Sequence, residues 1–119
     1  MTRSVVVPVY RNEATLPELL RHIVDLHQQR SDSFEVVFVI DGSPDNSYAL
    51  LRQRLPEMPF PSQIVSLSRN FGSFAAIRAG LTAAKGEFIA ILAADLQQPV
   101  SSVGQFFDVL ENGADIVVG

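Results

Sequence analysis

The 119-residue sequence has no cysteine. That absence excludes disulfides, a thiolate metal site and a cysteine nucleophile, and it fits a reducing compartment. No apolar run approaches the roughly 20 residues that a membrane helix needs. A basic stripe is also missing: 9 Lys and Arg stand against 13 Asp and Glu, for a net charge of −4. Nucleic acid is therefore not an expected partner. A single nucleotide stays open, because a few backbone N–H groups and a metal can hold one. There is no Gly-x-Gly-x-x-Gly, Walker loop or Ser/His/Asp arrangement. His22 and His27 lack metal-ligand spacing and read as ordinary helix residues. Met1-Thr2-Arg3-Ser4 runs straight into a strand-like segment, so no signal peptide is visible and a cytoplasmic location is expected.

What is present suits one packed domain over residues 1–119, with 47% hydrophobic and 18% charged residues. Ser4 to Val9 is a β-branched run that reads as a buried strand. Thr15-Leu16-Pro17-Glu18 has the form of a capping box, with the Thr15 hydroxyl accepting from the Glu18 N–H. Leu16, Leu19, Leu20, Ile23 and Leu26 then recur at helical spacing. Phe34 to Ile40 is a second strand, stopped by Asp41-Gly42-Ser43-Pro44-Asp45. A helix is predicted from about Asp45 to Leu55, a third strand over Gln63 to Leu67, and a helix from Gly72 or Ser73 to about Lys85 with Gly86 as its C′ residue. Glu87 to Ala93 is a fourth strand, Pro99 to Glu111 a helix, and Ala114 to Val118 the start of a fifth strand.

Alternating strands and helices imply a three-layer α/β/α, Rossmann-like fold with a mostly parallel sheet and right-handed crossovers. The first strand is apolar on both faces and should lie centrally, giving the order 3-2-1-4. A switch point between strands 1 and 4 predicts a ligand crevice lined by residues 8–13, 41–45 and 93–97.

Four loops carry the chemistry that such a crevice could use. Asp95 and Gln97 offer oxygens suited to a hard cation such as Mg2+ or Mn2+, although Asp95 could equally cap the helix that follows. Tyr10 can stack on a base and Glu13 can accept from a ribose hydroxyl; the alternative is a polar loop. Asp41 can read a base edge beside Gly42, while Ser43 before Pro44 is also a good helix start. Arg69 could pair with phosphate or be a surface residue.

Taken together, VVVPVYRNE, VFVIDGSPDNS, LSRNFGSFAAIRAGLTAAKGEFIAILAADLQQP and ADIVVG resemble the nucleotide-binding half of family 2 glycosyltransferases, which have the GT-A fold. Arg69-Asn70-Phe71-Gly72 with Asp95-Leu96-Gln97 is most similar to the branch that makes polyprenyl-phosphate sugars, such as dolichyl-phosphate mannose synthase. The resemblance implies a UDP- or GDP-linked sugar donor and a lipid-phosphate or glycan acceptor. Pro8, Tyr10 and Glu13 would hold base and ribose, Asp41 would help read the base, and Asp95 would coordinate Mg2+ or Mn2+ with Gln97 beside it. Ser43, Arg69, Ala93 and Ala94 complete the implied substrate-binding set. The acceptor site and acid/base residues are implied to lie beyond residue 119, in a longer protein that works at the cytoplasmic face of a membrane. Two positions depart from the family pattern: Ile40 and Ala93 stand where aspartates are usual, and each is expected to remove a carboxylate from the crevice. Rival readings are a nucleotide-sugar-binding module without catalysis and a homo-oligomer paired through the edge of the fifth strand.

Overall fold

Strand β1, Arg3–Val9, is the axis of the molecule. Successive side chains of a strand point to opposite faces. Val5, Val7 and Val9 accordingly pack on one side and Val6 on the other, and all four are buried. The structure, a computed structural model, describes residues 3–29, 34–95 and 107.

The remaining elements are α1 (Leu16–Gln29), β2 (Glu35–Asp41), α2 (Ser47–Arg54), a 310 turn (Leu55–Glu57), β3 (Ser62–Leu67), α3 (Ser73–Ala83) and β4 (Phe88–Ile91). The four strands form one parallel sheet in the order β3-β2-β1-β4, as the valine-rich first strand predicted. One face packs on α1 through Leu16, Leu19, Leu20, Ile23 and Leu26, and on Leu51 and Leu55. Fully burying a side chain of this size contributes roughly 1.5–3 kcal/mol. Phe107 is buried against the same cluster, with its ring 6.4 Å from that of Phe34. The other face packs on α3 through Ala76 and Gly80. Gly80 permits this close approach: a Cβ there would stand 2.3 Å from Cγ1 of Val6, so the two would have to shift apart.

Several local expectations change. The Thr15 hydroxyl does not cap α1 by accepting from Glu18; it donates to the carbonyls of Asn12 (3.2 Å) and Ala94 (2.6 Å). Glu18 instead faces Arg21 and His22 one turn on. Helix α2 starts at Ser47 rather than Asp45, because the Asp45 carboxylate accepts the Ser47 N–H in an Asx turn. Helix α3 ends at Ala83, and the next residue, Ala84, is extended, so Gly86 is not a left-handed C′ cap. Its lack of a side chain serves close approach, since a Cβ would lie 2.5 Å from Ser4 Oγ. Strand β4 is shorter than predicted, with one further bond from Leu92 N–H to the Val6 carbonyl. His27 is a helix residue as read, edge-on to Phe34 and Phe60. Gln97, the fifth strand 114–118 and all of the predicted helix 99–111 except Phe107, which is helical, lie outside the described residues, and so does the sheet edge on which the oligomer reading rests.

Among the described residues no helix is long and apolar enough to cross a membrane.

Candidate functional site: a crevice at the carboxyl end of the sheet

The strand order reverses between β1 and β4 while the strands stay parallel, and loops leaving these neighbouring strands diverge to opposite faces. The result is a crevice of about 440 Å³ lined by Pro8, Tyr10, Asn12, Asp41, Ala93, Ala94 and Asp95, and by Asn70, Gly72, Ser73 and Ile77 of the β3–α3 segment. Six residues singled out from the sequence meet here: Pro8, Tyr10, Asp41, Ala93, Ala94 and Asp95. Glu13, Ser43 and Arg69 do not line it. They sit in the loops that frame it.

Those loops are tied by a polar knot. The Arg11 N–H donates to Ser43 Oγ (2.8 Å), and the Ser43 hydroxyl donates to Asp45 Oδ1 (2.5 Å). The Glu13 N–H donates to Asp45 Oδ2 (3.2 Å), while Glu13 Oε1 accepts from the Asn46 N–H (3.1 Å). Burial works against the ionised Asp45, but bonds from the Ser43 hydroxyl and the Ser47 and Glu13 amides outweigh it and lower its pKa to about 2. The buried Ser47 hydroxyl lies beside the same carboxylate without a hydrogen bond of sound geometry. The knot also holds Arg11 in the left-handed region, at φ 56°, a conformation that costs energy in a non-glycine residue. Its guanidinium then lies 5.3 Å from the centre of the Tyr10 ring, and Tyr10 is left with a half-open face at the crevice.

Asp41 is 4% exposed, and its two oxygens accept the Phe71 N–H (2.8 Å) and the Gly72 N–H (3.1 Å). The carboxylate therefore pins the start of α3 to the end of β2. Gly42, at φ 61°, lets the β3–α3 loop pass directly over it: a Cβ would be 2.2 Å from the Arg69 carbonyl carbon. Arg69 turns away to lie 4.7 Å above the Phe71 ring. On the β4 side, the Thr15 bond to the Ala94 carbonyl fixes the turn that presents Asp95, which is exposed.

Ile40 corrects an expectation. It is 2% exposed and packs among Phe38, Leu51 and the α1 leucines, so it lies under the site and not in it. Of the two departures only Ala93 falls in the crevice. Asn12 falls within the predicted lining 8–13, though no role was assigned to it; sequence reasoning left Asn70, Ser73 and Ile77 out of the predicted lining. Asn70 and Ser73 were legible as members of the loop after the third strand; Ile77 needed the orientation of α3.

Among the described residues no cluster of three or more His, Cys, Asp or Glu could enclose a metal ion. One carboxylate still suits a hard cation that takes its other ligands from water and substrate phosphates. Asp95 fits that mode, and the amino end of α3 beside it carries a partial positive charge that favours anions.

The sequence matches the model of the family described as Glycosyl transferase family 2 over residues 4–119. The chain belongs to that family. Undecaprenyl-phosphate 4-deoxy-4-formamido-L-arabinose transferase from Pseudomonas savastanoi pv. phaseolicola is 40% identical over 114 residues, covering 96% of this chain and 34% of the relative. The protein of the same name from Aeromonas hydrophila is also 40% identical, with 35% of its length covered. This family 2 chain thus spans about a third of the length of the curated relatives it matches. Among solved structures, S. aureus TarS 1-349 has a TM-score of 0.74 at 23% identity over 94% of this chain and 33% of its own, a likeness of fold. Mannosyltransferase PcManGT from Pyrobaculum calidifontis, solved with GDP-Man and Mn2+, has a TM-score of 0.72 at 28% identity over 78% of this chain and 27% of its own.

Proposed function

We propose that this family 2 chain is the donor-binding part of a glycosyltransferase that moves a sugar from a nucleotide diphosphate to a polyprenyl phosphate. The crevice at the β1/β4 switch point carries the reading: an exposed aromatic, a carboxylate and a helix amino end converge on one space of nucleotide size. The relatives named for undecaprenyl-phosphate transfer support the acceptor class.

In this reading Tyr10 stacks on the base, and Pro8 and Asn12 set the depth of its slot. Asp41 keeps lone pairs towards the crevice beyond the two backbone bonds it already accepts, and so can read a base N–H. Glu13 and Ser43 act by holding the Tyr10 loop. The first turn of α3 faces the diphosphate. Asp95, with Gln97 beside it, would hold Mg2+ or Mn2+; the cation supplies positive charge that stabilises the leaving diphosphate. Ala93 and Ala94 form the wall beside the sugar. The full-length enzyme works at the cytoplasmic face of a membrane, where its acceptor resides.

Calorimetric titration of the chain with UDP and with GDP, each with and without Mn2+, tests this. Binding of one nucleotide should strengthen with the metal, and Asp95→Asn should remove that increment while leaving the unfolding transition unchanged. An Asp95→Asn chain with undiminished Mn2+ response would overturn the metal assignment. Ala93, in place of a carboxylate, favours a second reading: a module that binds the nucleotide without catalysis. A longer protein that binds nucleotide but releases no sugar would select it.

A further inference from the structure

Helix α3 puts its small residues inward and its large ones outward. Ala76 and Gly80 are buried on Val6, Val37 and Val39, with Ala79 and Ala83 packed beside them. At about 100° per residue, Phe74, Arg78 and Leu81 fall within about 60° of one another, on the side opposite that stripe. Phe74 is 89% exposed, Phe71 48% and Leu81 43%. An apolar group of this size on a charged surface marks a site of interaction.

Its electrostatic setting says with what. From residue 58 to residue 86 the chain has no Asp or Glu, while Arg69, Arg78 and Lys85 fall in this stretch of a chain whose net charge is −4. Lys85 is partly answered by Glu35, whose pKa is lowered against its burial by the Lys85 N–H, Ser4 and Gln63, and by the Lys85 charge. Arg69 and Arg78 remain on the outer side, Arg69 stacked over Phe71. Aromatic and leucine side chains flanked by arginines, with no acid among them, form the pattern of a helix that lies in the headgroup layer of an anionic membrane. Arginine stems run along apolar surface while their heads meet lipid phosphate.

We propose that the outer face of α3, with Phe71, Phe74, Arg78 and Leu81, rests on the surface of an anionic lipid bilayer. The inference rests on the polyprenyl-phosphate reading and gives it a geometry. Ser73 and Ile77 of the same helix line the crevice, so seating α3 on the bilayer brings the donor site to the layer that holds lipid phosphate.

Sedimentation with vesicles of phosphatidylglycerol and phosphatidylcholine, against phosphatidylcholine alone, is the test. The chain should bind the anionic vesicles at low salt and release them at high salt. Phe74→Asp should weaken binding by about tenfold or more and Arg78→Ala by about fivefold. Both residues are exposed, so both variants should unfold like the parent. A cysteine placed by Phe74→Cys is unique in this chain and can carry a polarity-sensitive dye, whose emission should shift blue on anionic vesicles. No binding by the parent chain, or equal binding by Phe74→Asp, would overturn the proposal. So would a dimer of the parent that Phe74→Asp converts to monomer, which would assign the face to a second copy. Nucleotide titration separates the two readings: Phe74→Asp should lose vesicles and keep nucleotide, and Asp95→Asn should keep vesicles and lose the Mn2+ increment in nucleotide binding.

Discussion

Asp45 offers a sharp test of how the crevice is framed. Its carboxylate takes the Ser43 hydroxyl and the amides of Ser47 and Glu13, and so joins the loop after β1 to the loop after β2. The pKa falls from 3.8 to about 2, which at about 1.4 kcal/mol per unit bounds the linked stabilisation near 2.5 kcal/mol. The side chain is partly exposed, and screening by solvent brings the expected contribution to about 1–2 kcal/mol. Because the folded pKa lies below the unfolded one, this stabilisation is complete above about pH 4 and is lost as the pH falls towards 2. Asp45→Asn keeps one acceptor oxygen and turns an amide towards a backbone N–H. It should cost about 2 kcal/mol at pH 7. Urea unfolding of parent and variant at pH 7, 4 and 2.5 reads the difference directly. The gap should shrink to about a third at pH 2.5, which lies below the unfolded pKa and just above the folded one, so that most of the charge-linked stabilisation is gone. A gap that stays constant with pH, or one already negligible at pH 7, would refute the knot as described.

Two glycines make further predictions. Gly42→Ala combines a positive φ with a Cβ 2.2 Å from main-chain carbon, so it should cost about 3 kcal/mol or more, read as a large fall in melting temperature. Gly80→Ala gains about 1 kcal/mol of helix propensity but drives a Cβ into Val6, for a net loss of about 1–2 kcal/mol. Val6→Ala in the same chain should recover part of that loss, and purely additive effects in the double-mutant cycle would contradict the contact.

The sheet order was legible because a run of valines apolar on both faces can only be a central strand of a parallel sheet. The carboxyl-end crevice followed from that order. What escaped the sequence depends on pairs far apart in the chain. Ser4 Oγ donates to Glu35 (2.7 Å) and accepts the Gly86 N–H (2.8 Å), while Gln63 bridges Glu35 and the Ala83 carbonyl. This cluster closes the amino end of the sheet, and no local pattern announces it. The Thr15 hydroxyl escaped for the same reason: its partner, the Ala94 carbonyl, lies 79 positions away. Local signals then misled, since Thr15 and Glu18 have capping-box spacing whatever the distant carbonyl does.

Ile40 and Ala93 looked equivalent as missing carboxylates, and the period of a strand separates them. Phe38 and Ile40 belong to the α1 face of β2; Val37 and Val39 belong to the α3 face, and Asp41 follows them in that alternation. A carboxylate at position 40 would enter a cluster of Leu, Val and Phe side chains, where an unpaired charge is costly. Isoleucine there strengthens the core and leaves the crevice as it was. Ala93 does line the crevice, which leaves Asp41 and Asp95 as its carboxylates among the described residues. Both Asp41 oxygens already hold the start of α3. A cation at this site must therefore lean on Asp95 and on the phosphates of its nucleotide, so metal and nucleotide should each bind weakly alone and strengthen one another when together.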